Sequence, residues 1–155
     1  MSVILRPVDH KNWRGVIDLK LRDDQKHFVS SNVFSLAESK YGGDEDDGHW
    51  DLFPVAIYAD DVLVGFAMYA INYNGEKFQG FIDRLMIDVQ FQGKGYGREA
   101  MKLLITIFTQ DTKIKNVGIS YEPENEVARK LYASLGFVET GNIVDGEMVA
   151  MLEGH

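Results

Sequence analysis

Residues 81–110, FIDRLMIDVQFQGKGYGREAMKLLITIFTQ, constrain the fold of this 155-residue chain more than any other stretch. An apolar strand runs into a turn spaced by glycines, Gln92-Gly93-Lys94-Gly95-Tyr96-Gly97, and the turn opens a long amphipathic helix. Glycines let the backbone turn sharply and approach a ligand, while the unpaired N–H groups at a helix start favour negative oxygens. The junction therefore reads as a phosphate-binding turn, with Lys94 and Arg98 adding charge at its mouth. A P-loop requires G-x-x-x-x-G-K-[ST], whereas Lys94 is followed by Gly95 and no Ser or Thr stands ready for magnesium. A dinucleotide fingerprint requires G-x-G-x-x-G, and Arg98 occupies the place of its third glycine. The spacing that fits is Q-x-x-G-x-G, as Gln92, Gly95 and Gly97.

Around this junction the hydrophobic pattern predicts alternating strands and helices. Val3 and Leu5, closed by Pro7, suggest a short first strand. From Asn12, placed to cap, Trp13, Val16, Ile17 and Leu21 recur at helical spacing. Residues 23–41 read as a loop and a second helix, with Phe34, Leu36, Ala37 and Tyr41 available for the core. Residues 42–51, GGDEDDGHWD, hold five carboxylates and read as a solvated loop, because like charges so close repel into water. Residues 53–58 and 62–71 form a hairpin turned by Asp60-Asp61, with both strands central in a sheet.

Along the third strand, residues 81–88, alternation sets Ile82, Arg84, Met86 and Asp88 on one face and Phe81, Asp83, Leu85 and Ile87 on the other. A buried unpaired carboxylate is costly, so Asp83 must meet Arg84 or another cation, or face a cleft. In the helix that follows, Ala100, Met101, Leu104, Ile105 and Phe108 form one broad face for packing on the sheet. Residues 117–121 are a fourth central strand. Asn125 then caps a helix whose face carries Ala128, Leu131, Tyr132 and Leu135, and Gly136 ends it. Residues 138–140 and 147–152 are the last strands, turned by Asp145-Gly146.

Composition narrows the function. The length suits a single domain, 1–155, able to bury a core without staples. With no cysteine there is no disulfide framework, thiolate metal site or cysteine nucleophile. A formal charge of −8 argues against a nucleic-acid partner and is compatible with a cationic substrate. MSVILRPVDH lacks the charged lead and apolar core of a signal peptide, and no run of about 18 apolar residues occurs, so no membrane partner and a cytoplasmic location are expected. His10, His27 and His49 form no H-x-x-x-H pair, so they are expected at the surface and no metal is expected.

A second signature is more specific than the first. Residues 125–137, NEVARKLYASLGF, read N-x-x-A-x-x-L-Y-x-x-x-G-F and follow the Q-x-x-G-x-G turn in order. Together the two motifs resemble the GNAT superfamily of N-acetyltransferases. The resemblance spans nearly the whole chain and implies an α/β (α+β) GNAT fold, a mixed central sheet of about six to seven strands with helices on both faces. It further implies that the third and fourth central strands are parallel, splay apart and hold acetyl-CoA between them. The backbone of Leu85, Met86 and Ile87 would bond its pantetheine arm and acetyl carbonyl as an added strand would. Gln92, Gly93, Lys94, Gly95, Tyr96, Gly97 and Arg98 would cradle the pyrophosphate, and Asn125 and Ala128 would face the arm from the far side. Tyr132, two helical turns after Asn125 on the same face, matches the position at which relatives place the general acid for the departing thiolate. No acyl-enzyme is implied. A neutral amine attacks directly, so a base or a water path to a carboxylate is needed, for which Glu122 and Asp83 are the candidates.

At finer grain the chain resembles bacterial spermine/spermidine (diamine) N-acetyltransferases, through Gln25-Lys26-His27-Phe28-Val29, Asn32, Ser35-Leu36-Ala37, residues 64–69, Asp83-Arg84 and Ile87-Asp88. That resemblance implies a polyamine acceptor, with Asp83, Gln25, Glu122 and Glu38 around its ammonium groups. A homodimer is common among such relatives. The alternatives are a GNAT enzyme for another amine (a protein N-terminus, an aminoglycoside or a small amino compound) and a non-catalytic acyl-CoA-binding regulator. The regulator would be marked by a lost Tyr132 or a broken 92–97 turn, and neither is seen.

Overall fold

The longest apolar runs take the middle of a seven-stranded sheet in the computed structural model, which describes residues 2–154. The strands are β1 (Val3–Pro7), β4 (Asp51–Ala59), β5 (Val62–Ile71), β6 (Gly80–Ile87), β7 (Val117–Tyr121), β9 (Glu147–Leu152) and β8 (Phe137–Val144), neighbouring one another in that order. Only β6 and β7 pair in parallel; the other five ladders are antiparallel. A parallel pair needs a long crossover, and α3 (Tyr96–Thr109) supplies it. This is a GNAT-type mixed sheet with a parallel pair at its centre.

Helices cover both faces, which explains why β5 is buried along most of its length and shows no polar face. On one side α3 and α4 (Glu126–Ser134) enclose a core that includes Met101, Leu104 and Phe108 with Ile82, Ile119 and Ala150. On the other, α1 (Trp13–Asp18) and α2 (Asn32–Tyr41) cover a smaller cluster of Val16, Ala56, Phe66, Met68 and Met86. Asp60 and Asp61, both at positive φ (48° and 67°), make the tight turn between β4 and β5.

Several local expectations are corrected. Asn12 does not cap α1 with its side chain; it bonds Asp9 N–H and the Pro7 carbonyl, and the Asp9 carboxylate accepts from Lys11 and Asn12 N–H instead. Trp13 stays 40% exposed on this six-residue helix. On α2, Phe34 and Tyr41 face out and Asn32 and Ser35 face in. Ser31 caps this helix through Phe34 N–H while Asn32 Nδ2 donates to the Val16 carbonyl, and these two bonds set its rotation. The acidic 42–51 loop carries a small hairpin, β2 (Asp44–Glu45) with β3 (Gly48–His49). Strand β8 runs longer than residues 138–140. Among the described residues no helix is long and apolar enough to cross a membrane.

The largest correction concerns β6. Its register on β5 pairs Met68 with Arg84 but Tyr69 with Ile82, which leaves Asp83 as an extra residue. A bulge of this kind breaks the two-residue alternation. Ile82 and Met86, expected on one face, therefore fall in opposite cores. The ladder to β7 also stops here: Gly80, Phe81 and Ile82 pair with Val117, Gly118 and Ile119, and no further pairing follows although both strands continue.

Facing the split strand, Gly65 of β5 lies so close to β6 that an added Cβ would sit 2.5 Å from the Met86 carbonyl oxygen. Gly65→Ala is expected to cost about 1–3 kcal/mol, as overpacking against an unyielding backbone does. Urea unfolding measures this, and a parent-like midpoint would refute the close approach.

Candidate active site at the strand split

Beyond the bulge, the parting of β6 and β7 opens a cavity of about 1280 Å³. Its first wall is the turn before α3. Gln92 braces that turn: its Nε2 donates to the Ile87 carbonyl at 2.9 Å and to Gln25 Oε1 at 3.0 Å, and Gln25 Nε2 returns a bond to Gln92 Oε1 at 3.3 Å. Asp88 anchors the turn's start by accepting from Gln90 and Lys20 N–H. Gly93 and Gly95 sit at positive φ (77° and 85°), conformations that side chains disfavour, and Gly95 is the N-cap of α3. Gly93, Gly95, Tyr96 and Gly97 line the cavity at the helix start, where unpaired N–H groups and the helix dipole favour an anion. Lys94 and Arg98 do not line it; both are exposed, and Arg98 Nη2 donates to Ser134 Oγ. The lining of the turn itself is therefore backbone N–H and glycine, with these two cations outside it.

The second wall is α4. Asn125 caps it through Ala128 N–H at 3.3 Å, and Ala128, Leu131 and Tyr132 line the cavity from this side. Leu85, Met86 and Ile87 line it from β6, whose edge toward β7 has lost its strand partner past Ile82. An extended ligand with amide groups suits such an edge. Tyr132 is only 7% exposed, packed against the rings of Tyr121 (5.5 Å) and Phe137 (6.3 Å). Its hydroxyl has no hydrogen-bond partner among the described residues, and burial, with Glu147 adding to it, raises its pKa above the ordinary phenol value. The group stays protonated and able to donate.

The remaining wall is acidic. Arg84 does not pair with the Asp83 carboxylate: its Nη2 meets Glu38 Oε1 at 3.1 Å and its Nη1 donates to the Asp83 carbonyl at 2.9 Å. Asp83 thus faces the cleft. Desolvation pushes its pKa up to about 7; the Arg84 charge pulls the other way, while Glu38, Glu45 and Glu147 push further. Glu38, expected around the substrate, lies outside the cavity lining with its carboxylate on Arg84. Gln25 lines the cavity with its amide already committed to Gln92, and Glu122 lines it just after β7. His27, expected simply at the surface, is exposed and also lines the rim.

The sequence reading missed Ser120, Tyr121 and Glu147. Ser120 Oγ donates to Glu147 Oε1 at 2.8 Å, and Tyr121 donates to Glu139 Oε2 at 2.5 Å, with Arg129 on the other oxygen of Glu139 at 2.9 Å. The partners are 10 to 27 positions apart in the chain, so no local spacing marks them. Among the described residues no group of three or more carboxylate or imidazole side chains is placed to hold a metal.

Comparison with known proteins agrees with this geometry. The model of the acetyltransferase (GNAT) family matches residues 13–137. A spermine/spermidine N(1)-acetyltransferase of Bacillus subtilis (strain 168) is 31% identical over 158 residues, covering 99% of this chain and 99% of that protein. A probable spermine N(1)-acetyltransferase of Bacillus subtilis subsp. natto is 31% identical with the same coverage. Among solved structures, aminoglycoside acetyltransferase AAC(6')-Ib with coenzyme A superposes with TM-score 0.75 at 18% identity, covering 97% of this chain and 93% of that one. Spermidine N-acetyltransferase from Vibrio cholerae with CoA and spermine superposes with TM-score 0.69 at 21% identity, covering 96% and 92%. At these identities the structural likeness is one of fold.

The unpaired Asp83 carboxyl has a measurable consequence for stability. Its folded pKa is about 7, against about 3.9 for an unfolded chain. Between those values the unfolded state releases a proton that the folded state keeps, so stability falls as pH rises from about 4 to 7 and then levels. Asp83→Asn should therefore melt at a higher temperature than the parent at pH 8, with the gain vanishing toward pH 4. Equal melting curves across that range would show that Asp83 is not desolvated.

Proposed function

This chain belongs to the GNAT family of acetyltransferases, acetyl-CoA-dependent N-acetyltransferases, and on that premise we propose that the amine it acetylates is a polyamine. The observation that carries this reading is the Asp83 carboxyl, unpaired and turned into the strand split. Its support is the full-length likeness to proteins named for spermine and spermidine, and the chain's net charge of −8. The likeness to aminoglycoside acetyltransferases is looser in sequence, at 18% identity.

In this proposal the turn at 92–97 and the free edge of β6 hold acetyl-CoA, which supplies the activated acyl group. Asp83 takes one proton from the acceptor's ammonium, with Glu122 the second candidate base at the rim. The neutral nitrogen then bonds to the thioester carbonyl carbon as the C–S bond breaks. Tyr132, kept protonated by burial, donates to the sulfur, and the second proton shed by the nitrogen restores the phenol. The raised pKa of Asp83 suits this step. An amine near pKa 10 lies about 3 units above a carboxyl at about 7, roughly 4 kcal/mol. That fits inside the ~16 kcal/mol barrier of a turnover near 10 per second. A carboxyl at the unperturbed value of about 3.9 would leave a gap of roughly 8 kcal/mol.

Three measurements test the proposal. Free thiol released from acetyl-CoA is expected with spermidine, spermine and short diamines and not with peptides or aminoglycosides; no turnover with any polyamine removes it. Tyr132→Phe should lower kcat by roughly 100-fold or more with acetyl-CoA affinity little changed, and unaltered turnover would refute the acid role. Gly95→Val, which forces a branched residue to positive φ, should abolish CoA binding in titration calorimetry. Parent-like binding would count against the turn.

A further inference from the structure

The two faces of the sheet assign Glu147 to the acceptor side. On β9, Met148, Ala150 and Leu152 pack in the core beneath α3 and α4, so alternation turns Glu147 to the opposite face. On β7, Ile119 and Tyr121 belong to that same core, and Ser120 points the other way. The bond from Ser120 Oγ to Glu147 Oε1, 2.8 Å, joins the two on the α1–α2 side. It fixes the carboxylate with one oxygen and leaves the second without a hydrogen-bond or ion-pair partner among the described residues. Glu147 lines the cavity and acts electrostatically on both Asp83 and Tyr132. Tyr132, 7% exposed, lines the same cavity, and its hydroxyl has no hydrogen-bond partner among the described residues.

Among the described residues no cation is hydrogen-bonded or ion-paired to the Asp83 or Glu147 carboxylate, though the Arg84 charge acts on Asp83. Of the arginine and lysine side chains lining the cavity, Arg84 is held by Glu38 at 3.1 Å, Arg22 by Asp24 at 3.1 Å and Lys26 by Asp23 at 2.8 Å, and His27 lines the rim. Asp83 on β6 and Glu147 on β9 lie on either side of β7, rooted more than two strand spacings (~10 Å) apart because β6 and β7 part beyond Ile82, and both line the cavity. Two carboxylates so placed match a linear aliphatic diamine better than a single amine.

We propose that Glu147, held by Ser120, seats the acceptor's second ammonium while the reacting amine lies between Asp83 and Tyr132, and so selects linear diamines and polyamines over monoamines. This rests on the polyamine reading of the site. The test is steady-state kinetics of the full chain with spermidine, 1,4-diaminobutane and 1-aminobutane as acceptors. The parent should prefer the diamine. In Glu147→Gln, kcat/KM for diamine and spermidine should fall about 10- to 100-fold, mainly through KM, as for a lost hydrogen bond to a charged group. The monoamine should fall much less, so the preference collapses. Ser120→Ala should move the ratio the same way by less. A preference kept in Glu147→Gln overturns this proposal and leaves the polyamine reading standing; a parent that acetylates some other amine and no diamine overturns both. If the Gln variant does not fold, Glu147→Asp serves instead. It should shift the best diamine length upward, and an unmoved length profile overturns the assignment.

Discussion

One extra residue in β6 governs this molecule. Up to Ile82 the strand is hydrogen-bonded on both edges; at Asp83 the register on β5 slips and the partnership with β7 ends. Unpaired strand edges are normally found at the outside of a sheet, where water or another chain satisfies them. Here the edge lies in the middle, enclosed by α3 and α4 on one side and α1 and α2 on the other. The cost of those unpaired groups would fall if a ligand with amide groups occupied the gap, as the proposed seating of the pantetheine arm would have it.

The same bulge sets the electrostatics. By putting Asp83 and Arg84 at one irregular step, it lets the guanidinium turn to Glu38 while the neighbouring carboxyl turns into the cavity. A carboxyl with its partner removed is destabilising, and that destabilisation raises its proton affinity to a useful range. Tyr132 is tuned by the same means. Burial under Tyr121 and Phe137 denies the phenolate its solvation and keeps the proton on the oxygen. The proposed base and acid thus both depend on exclusion of water, and neither leans on a strong ion pair.

Legibility in the sequence divides along the same line. The turn at 92–97, the α3 face of Ala100, Met101, Leu104 and Phe108, and the Asn125 cap of α4 are all written within a few residues, because backbone conformation and helix periodicity are local. The hairpin of β4 and β5 and the strand at 117–121 are legible for the same reason. The bulge is not, since it exists only relative to β5. Glu38 with Arg84 are 46 positions apart and Ser120 with Glu147 are 27, so these pairs form only once the sheet and helices are assembled. The outward turn of Phe34 and Tyr41 shows tertiary hydrogen bonds of Asn32 and Ser31 overriding a hydrophobic pattern.

The reciprocal amides of Gln25 and Gln92 join the loop before α2 to the turn before α3, so the two walls proposed for the acceptor and the diphosphate share one fastening. Neither amide can gain or lose a proton in the range where Asp83 does. That fastening therefore stays in place as Asp83 changes charge.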